Sequence, residues 1–486
     1  MSTGAPVALR STSGRWVIVA TILGSGVAFL DGSVVNVALP AIGRDVGGDL
    51  SVLQWVLDAY LLTLSALLLL GGALGDRYGR RLVFTIGLVV FTLASLLCGL
   101  APTGGALIGA RLLQGVGGAL LIPGSLALIN SSIRGDDRGQ AIGTWAGLTG
   151  VSSAIGPFVG GWLVDAVSWR WVFFINVPLA AVAFAVTVRH VPESRNPEAT
   201  GRPDLAGALA VTVGLAGTIY ALIEVPTKGW GPMPVVALVA GVAGLVLFPF
   251  VEARRPNPLM PLSLFRSGQF TGANLTTFTV YAALSGALFL LSLQLQQTLG
   301  YSALSAGIAT LPITIIMLLL SGRMGALAQR TGPRLPMTIG PLVCAGGLAL
   351  MVLAVPGSTY LTGVLPGVLV FGLGLAITVA PLTSAVLASV SEHHGGIASG
   401  VNNAVSRVAG LLAVAVLPLV AGLSHTGAGQ ALGAGFGRAM LISAALCALG
   451  GVLAWATIDR GKAVEAVPVP ALNHACQDPG TCPDVS

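Results

Sequence analysis

The stretch Gly72-Ala73-Leu74-Gly75-Asp76-Arg77-Tyr78-Gly79-Arg80-Arg81 is a short charged turn between two apolar runs, 61–70 and 82–100. Three arginines are too costly to place in hydrocarbon, so the turn must lie at one face of a membrane. Because lysine and arginine accumulate in cytoplasmic loops, we expect that face to be the cytoplasmic one. The turn therefore predicts a membrane protein and the orientation of its helices.

A related sequence occurs in the second part of the chain, at Gly325-Ala326-Leu327-Ala328-Gln329-Arg330-Thr331-Gly332-Pro333-Arg334. Glycine, alanine, leucine, arginine, glycine and arginine occupy the same six of the ten positions in both copies. Gln329 stands where the first copy has Asp76, so the two turns are not equivalent. The repeat predicts that the chain consists of two related halves.

The composition excludes a soluble globular protein. Of the 486 residues, 54% are hydrophobic and only 9% are charged, whereas charged residues make up about a quarter of an average soluble chain. The net charge of +6 is spread over many loops without interleaved aromatic residues, so we expect no nucleic-acid partner. Cys476 and Cys482 in the tail lack the spacing and the further ligands of a zinc site, so we expect no metal there.

Apolar segments long enough to cross a bilayer recur along the chain. A spanning helix needs about 20 such residues, and fourteen segments meet this requirement. No small-residue cleavage site follows the basic start of the chain, so the first segment is expected to be a retained helix. The predicted spans cover residues 16–39, 51–74, 82–101, 106–130, 140–163, 171–190, 204–224, 233–252, 270–294, 304–323, 336–355, 360–382, 396–423 and 434–457.

The distribution of lysine and arginine between alternate loops tests this topology. Of the 24 basic residues, 18 fall on the side of the amino terminus and four on the other side, while Arg111 and Arg407 lie within spans. This asymmetry places both termini in the cytoplasm. We therefore predict a multi-pass protein of the cell membrane.

Two loops rich in proline and charge, 191–203 and 252–267, separate spans seven and eight from the other twelve. The two glycine–arginine turns then connect the second and third helices of each half, so spans seven and eight are interpreted as an insertion. The end of the chain has few large apolar residues and is predicted to be disordered. The predicted domains are a cytoplasmic amino terminus (1–15), a six-helix bundle (16–190), a linker with two extra helices (191–267), a second six-helix bundle (268–458) and a cytoplasmic tail (459–486).

Ionisable residues within predicted spans cost several kcal/mol each and therefore suggest a function. At about 1.5 Å per residue, Asp31 lies roughly 22 Å from the inner face, and Asp58 and Arg111 each lie roughly 9 Å from the outer face. All three then share the outer half of a core about 30 Å thick. Burial favours a neutral carboxyl and a nearby guanidinium favours a charged one, so the three groups can exchange partners and carry a proton. The alternatives are a static ion pair and an Asp58 that reaches outer water.

Three further ionisable residues are interpreted from their depth. Arg407 lies roughly 16 Å along span thirteen, near mid-depth. It can line a cavity between the halves, or it can hold the bundle together by bonding backbone carbonyls. Asp165 and Glu224, at the outer ends of spans five and seven, are expected to be solvated.

The sequence excludes direct use of ATP. The only lysines are Lys228 and Lys462, and neither follows a phosphate-binding glycine-rich loop. The one cluster of histidine and acidic residues, 392–394, has no further ligand nearby, so we expect no enzyme active site. We expect no cofactor and predict that a proton gradient supplies the energy.

Three motifs carry a resemblance to a known family. Gly72-x-Leu74-x-Asp76-Arg77-x-Gly79-Arg80-Arg81 resembles the signature loop of the major facilitator superfamily. Leu107-x-x-x-Arg111-x-x-Gln114-Gly115-x-Gly117 is similar to the fourth-helix motif that the family associates with proton movement. Gly156-Pro157-x-x-Gly160-Gly161 resembles the antiporter motif, whose glycines and proline shape a bendable, closely packed helix. Ser152 stands where that motif usually has glycine.

Two further motifs narrow the resemblance to one branch. Leu30-Asp31-x-Ser33-Val34-Val35-Asn36-Val37-Ala38-Leu39-Pro40 is similar to the first-helix motif of the fourteen-span drug:proton antiporters, and Trp55-x-x-Asp58-Ala59-Tyr60 resembles second-helix sequences of their multidrug exporters. The resemblance covers residues 16–459. It implies an all-α membrane fold, with two six-helix bundles, two inserted spans and alternating access.

The signature loop also has a physical interpretation. Asp76 can cap a helix or pair with an arginine near the inner gate, and Arg77, Arg80 and Arg81 can bond carbonyls at helix ends. Such contacts would hold the cytoplasmic side shut. A simple positive anchor would explain the arginines, but it would not explain Asp76 or the spaced glycines.

The sequence thus predicts a monomeric exporter that exchanges inward protons for hydrophobic compounds, cationic ones included. Protons from outside would load Asp31 or Asp58, beside Arg111, and release the substrate. The alternatives are a dedicated exporter of one metabolite, antibiotic or lipid precursor, a proton symporter for uptake, and a non-transporting membrane sensor. The cavity between the halves is predicted to be lined by Phe29, Asn36, Gln54, Trp55, Trp145, Thr149, Asn274, Tyr281, Gln294, Asn402 and Arg407.

Overall fold

A computed structural model of the chain describes residues 7–196, 203–255, 258–390, 395–423 and 432–459. These residues form 14 helices long and apolar enough to cross a membrane, and their only β-structure is an isolated bridge between Val7 and Ile133. The fourteen predicted spans are confirmed. The helices are α1 (Thr12–Val46), α2 (Leu50–Tyr78), α3 (Arg80–Gly99), α4 (Gly104–Ser132), α5 (Gly135–Ala166), α6 (Asn176–His190, after a short helical turn at Trp171–Phe174), α7 (Leu205–Lys228), α8 (Pro232–Arg254), α9 (Gly268–Leu293), α10 (Ala303–Thr331), α11 (Arg334–Leu350), α12 (Leu365–Ala388), α13 (Gly395–Val420) and α14 (Gly433–Thr457).

Fourteen crossings return the chain to the side of the membrane on which it began. We call the face that holds the start of α1 and the end of α14 the terminal face, and the other the opposite face. The first half comprises α1 to α6 and the second half comprises α9 to α14. The exact domain boundaries given above remain a prediction.

Polar residues at the boundaries explain where several helices begin. The side chains of Asp49, Thr103 and Ser302 accept hydrogen bonds from N–H groups in the first turns of α2, α4 and α10, which otherwise have no partner within the helix. Gly79 joins α2 to α3 with a φ of 123°, a conformation that favours glycine. Several helices extend beyond the predicted apolar spans, because polar residues at their ends continue the backbone hydrogen bonds of the helix. For example, α10 ends at Thr331, whereas the predicted span ends at residue 323.

Glycines bring helices into close contact within each half. A Cβ at Gly117 of α4 would lie 2.6 Å from the backbone nitrogen of Phe91 on α3, and a Cβ at Gly347 of α11 would lie 2.6 Å from the Cα of Phe371 on α12. Small residues allow such contacts in lipid, where packing replaces the hydrophobic force as the cause of association. The high glycine content is thus explained by helix packing.

The inserted helices α7 and α8 form a hairpin that contacts both halves. A Cβ at Gly217 of α7 would collide with the carbonyl oxygen of Ala237 on α8, so these two backbones touch. On its other side, Ile219 of α7 packs in one apolar cluster with Leu62 of α2 and Leu411 of α13. The hairpin therefore covers the seam where the two halves meet.

Some sequence-based predictions concern residues outside the described ranges. These are the disorder of the tail beyond residue 459, the inert pair Cys476 and Cys482, and the histidine-containing cluster at 392–394.

Candidate functional site

A polar network fills the interior of the first half. The Asp31 carboxylate of α1 pairs with Arg111 Nη1 of α4 at 2.5 Å. Its other oxygen accepts hydrogen bonds from Gln114 Nε2 and Asn176 Nδ2, each at 2.8 Å. The Gln114 amide also donates to the Ser95 hydroxyl at 2.8 Å. All five side chains are buried, so α1, α3, α4 and α6 meet at one buried polar site.

Contacts with α2 fix the orientation of Arg111. Its Nε donates to the carbonyl oxygen of Val56 at 2.9 Å, and its guanidinium lies 4.4 Å from the centre of the Tyr60 ring. Buried charges are held by such partners, and removal of one member of a buried pair typically costs about 3–5 kcal/mol. Asp31 and Arg111 therefore depend on each other.

Asp58 is not part of this network, which corrects the expectation of one Asp–Arg–Asp constellation. Its side chain is fully buried, and neither carboxyl oxygen has a hydrogen-bond partner among the described residues. One turn away on the same face of α2, Gln54 Nε2 donates to the carbonyl oxygens of Val414 (2.7 Å) and Ala415 (3.3 Å) on α13. Asp58 thus lies next to the seam between the halves. The position of Asp58 depends on the rotation of α2 about its own axis, and a single sequence does not reveal that rotation.

Glu224 of the inserted helix α7 is buried rather than solvated, which corrects a second expectation. Its carboxylate accepts a hydrogen bond from Trp55 Nε1 of α2 at 2.8 Å and pairs with Lys228 at 2.5 Å. The Trp55 ring also lies 6.1 Å from the Tyr220 ring. The predicted cavity residue Trp55 therefore links α2 to the inserted hairpin. The sequence could not predict this contact, because Trp55 and Glu224 are 169 positions apart.

The two halves are joined at the opposite face by hydrogen bonds between α1 and the end of α9. The Ser292 hydroxyl donates to the carbonyl oxygen of Asn36 at 2.8 Å, and Gln296 Nε2 donates to that of Val37 at 2.9 Å. Asp165, at the end of α5, accepts hydrogen bonds from the backbone N–H groups of Ala303 (3.2 Å) and Leu304 (2.8 Å). A carboxylate at the start of α10 also suits the dipole of that helix. Asp165 thus bridges the halves, although the sequence suggested only solvation.

The glycines of the antiporter motif lie at two helix contacts. Gly156 and Gly160 face α1, where a Cβ at Gly160 would lie 3.0 Å from the carbonyl oxygen of Val34. A Cβ at Gly161 would lie 2.5 Å from the carbonyl oxygen of Ala303 in the other half. The carbonyl of Pro157 likewise touches Gly307 of α10. The motif therefore packs α5 against α1 and against the second half.

Contact between α5 and α10 is confined to their parts near the opposite face. The buried residues of α10 lie between Ala303 and Ile313, with Ala328 as the one exception in a helix that is described throughout. Toward the terminal face, the positions of Gly143 and Gly147 on α5 have open space around them. The seam is thus closed at the opposite face.

At the terminal face, the signature loop binds the segment that follows α6. Asp76 pairs with Arg80 at 2.7 Å, and Arg81 donates to the carbonyl oxygen of Val191 at 3.1 Å. Glu193 accepts hydrogen bonds from the backbone N–H groups of Arg81 (3.0 Å) and Leu82 (3.1 Å) at the start of α3. These contacts of Asp76, Arg80 and Arg81 all stay within the first half. Glu193, which the sequence did not single out, caps α3.

The other predicted cavity residues fall into three groups. Trp145 donates to Ser25 (3.2 Å), Thr149 donates to the Trp145 carbonyl (2.7 Å) and Gln294 Nε2 donates to the Ala354 carbonyl (2.7 Å), so each of these bonds lies within one half. In the second half, Asn402 donates to Asn274 (3.1 Å) and Thr277 (2.7 Å). Phe29, Tyr281 and Arg407 are partly exposed, and the Arg407 guanidinium lies 5.2 Å from the centre of the Phe29 ring on the other half.

Comparison with known proteins agrees with this architecture. A sequence profile described as Major Facilitator Superfamily matches residues 21–414. The chain is similar to a solved structure of a POT family transporter in complex with a thioalcohol conjugated peptide, with a TM-score of 0.70, although only 13% of the aligned residues are identical. The match covers 93% of this chain and 98% of that one. At this identity the likeness shows the fold alone.

Curated relatives are more similar in sequence. The chain is 37% identical over 450 residues to the methylenomycin A resistance protein of Bacillus subtilis (strain 168), covering 92% of this chain and 94% of that protein. It is 36% identical over 413 residues to the multidrug resistance protein Stp of Mycobacterium tuberculosis (strain CDC 1551 / Oshkosh), covering 84% of this chain and 76% of that protein.

Proposed function

The chain belongs to the major facilitator superfamily, and from that premise we propose that it exports hydrophobic drugs or other toxic compounds in exchange for protons. As a member of this family it is a multi-pass membrane transporter and not an enzyme. Relatives named for resistance to methylenomycin A and to multiple drugs support export as the direction of transport. The excess of basic residues supports a terminal face in the cytoplasm.

The observation that carries proton coupling is the burial of Asp58 without a hydrogen-bond partner. An ionised carboxylate in such a place costs several kcal/mol, because no donor among the described residues compensates its charge. We infer that Asp58 is a neutral carboxylic acid in this conformation. If the seam between α2 and α13 parts toward the opposite face, water reaches the carboxyl and allows it to exchange a proton. Closure of the seam then carries that proton inward.

The Asp31–Arg111 pair supplies the link between this step and the rest of the first half. Arg111 bonds the carbonyl of Val56, two residues before Asp58 on α2. A shift of α2 therefore moves Arg111 relative to Asp31 and its partners on α3, α4 and α6. In this proposal Asp58 carries the proton, while the pair transmits the position of α2.

Closure at the opposite face supports an inward-facing state in a cycle of alternating access. The bonds of Asp165, Ser292 and Gln296 join the halves there. The same bonds must break before substrate can leave to the outside. Protonation of Asp58 after substrate release favours their formation again, which makes export depend on the inward movement of protons.

The test compares wild type with Asp58→Asn and Asp31→Asn in inverted membrane vesicles. Ethidium reports drug movement, and a pH-sensitive dye reports proton movement. We expect Asp58→Asn to keep the fold and to lose drug-dependent proton movement. Asp136→Asn, at an exposed residue in the first turn of α5, is the matched control and should behave as wild type. Coupling that survives in Asp58→Asn and disappears in Asp31→Asn would assign the proton to Asp31. A wild type that moves no protons with any drug would refute antiport.

A dedicated exporter is the second candidate, since the methylenomycin A resistance protein is named for a single compound. A panel of neutral, cationic and acidic drugs separates the two. Competition between unrelated compounds for export supports a multidrug transporter, whereas transport of one chemical class alone supports a dedicated one.

A further inference from the structure

Arg407 is a cation at mid-depth that points from one half to the other. It is the thirteenth residue of the 26-residue helix α13. Its guanidinium lies over the ring of Phe29, which belongs to α1 of the first half. Both residues are partly exposed. The charge of Arg407 therefore faces the space where the two halves meet.

No carboxylate balances this charge in the part of the chain that the structure describes. Arg407 takes part in none of the ion pairs found there, and its buried Nε has no acceptor. The backbone carbonyls that could have held it are therefore not its partners. Asp31 is occupied by Arg111, and Asp58 is buried beside the α2–α13 seam. Since a guanidinium stays protonated in proteins, Arg407 brings to the space between the halves a positive charge that no described carboxylate compensates.

We propose that Arg407 anchors acidic aromatic substrates, whose carboxylate or sulfonate pairs with the guanidinium while their apolar body packs against Phe29. The planar fork of an arginine fits such anions through two parallel hydrogen bonds. A cationic substrate would meet repulsion at the same place. The inference rests on the proposed export function and replaces the expected acceptance of cations with a preference for anions.

The surroundings of Arg407 suit this class of ligand. Tyr281 of α9 lies within the electrostatic influence of Arg407 and packs with Phe278 in an apolar cluster. Tyr60 of α2 is near both charged groups: its ring covers Arg111 at 4.4 Å, and the charge of Arg407 also acts on it. The Asp31 carboxylate, which would repel an anion, is neutralised by its pair with Arg111.

Binding to the purified full-length protein tests the proposal without any gradient. The probes are 1-pyrenebutyrate, ionised at neutral pH, and its neutral methyl ester, and affinity is read from pyrene fluorescence. We expect wild type to bind the acid at least about tenfold more tightly than the ester, which is about 1.4 kcal/mol. Arg407→Gln should remove that preference and leave the affinity for the ester unchanged, and Arg407→Lys should retain part of it.

Equal affinity of wild type for the acid and the ester would overturn the proposal, and this comparison needs no variant to fold. An acid preference that survives unchanged in a folded Arg407→Gln would also contradict it, because the guanidinium would then not be the source of that preference. Failure of the proposed function is a separate result. In that case the acid preference remains, but neither pyrene probe nor ethidium moves against a gradient in vesicles.

Discussion

Asp31 and Arg111 form an ion pair in which both side chains are fully buried, so their pairing affects both stability and geometry. A buried ion pair adds little net stability, since desolvation offsets most of the attraction. The main effect of such a pair is to hold in one arrangement the helices that carry the paired residues. The Asp31–Arg111 pair and the bonds that Gln114 and Asn176 donate to Asp31 define the relative positions of α1, α4 and α6.

Removal of Arg111 alone should therefore be severe. We predict that Arg111→Met lowers the free energy of unfolding by about 3–5 kcal/mol, because it leaves the Asp31 carboxylate buried without its counterion. The double variant Asp31→Asn with Arg111→Met should recover a large part of that loss. Unfolding can be followed with a thiol-reactive dye in detergent, since Cys98, Cys344 and Cys447 are buried and free.

The matched control is Arg170→Met. Arg170 pairs with Asp45 at 2.5 Å, but both side chains are substantially exposed, and pairs of this kind contribute about 1 kcal/mol or less. If the single Arg111 variant melts like the Arg170 variant, the buried pair is not a structural requirement.

At the scale of elements, the inserted hairpin is attached to the first half through a polar contact. We predict that Trp55→Phe lowers the free energy of unfolding by about 1–3 kcal/mol, because Glu224 then loses a buried hydrogen-bond donor. The same dye assay measures the change. Trp230→Phe is the control, since Trp230 is 69% exposed and lies just after α7, the helix that carries Glu224. Equal stability of the two variants would show that α7 is held by apolar packing alone.

The contact of α5 with α10 controls closure at the opposite face. Gly161→Ala should open that face, because the new Cβ would lie 2.5 Å from the carbonyl oxygen of Ala303. Spin labels at Val167→Cys and Ser305→Cys, after replacement of Cys476 and Cys482, should report a longer distance. Gly147→Ala introduces a Cβ into open space and should leave the distance unchanged. An unchanged distance in Gly161→Ala would mean that α5 does not form the outer seal.

At the scale of the whole molecule, the sequence predicted what depends on length and composition. The fourteen spans and the repeat of the glycine–arginine turn follow from such local signals, and both are found in the structure. The partners of charged residues could not be predicted, because they depend on the rotation of each helix and on contacts over long separations. Asp58 makes no hydrogen bond to Arg111, and Glu224 and Asp165 bind groups 169 and 138 positions away.

The sign of the transported charge gives a test of the complete cycle. A proton that moves in and an anion that moves out both carry positive charge inward, whatever the number of protons. Each charge gains about 2.3 kcal/mol per 100 mV of inside-negative potential, so at least two charges gain about 4.6 kcal/mol. One proton exchanged for a monovalent cation moves no net charge.

We therefore predict that a potassium diffusion potential, negative inside, accelerates the export of 1-pyrenesulfonate from sealed vesicles whose interior holds the terminal face. The measurement uses valinomycin at a fixed pH gradient, with dye efflux as the readout, and one-for-one ethidium exchange should show no such acceleration. Arg407→Gln, which lacks the proposed anion anchor, should lose the acceleration of pyrenesulfonate export and leave the rate of ethidium exchange as in wild type. Export of pyrenesulfonate that is indifferent to the potential would exclude proton-for-anion exchange, because no stoichiometry of that exchange is electrically silent.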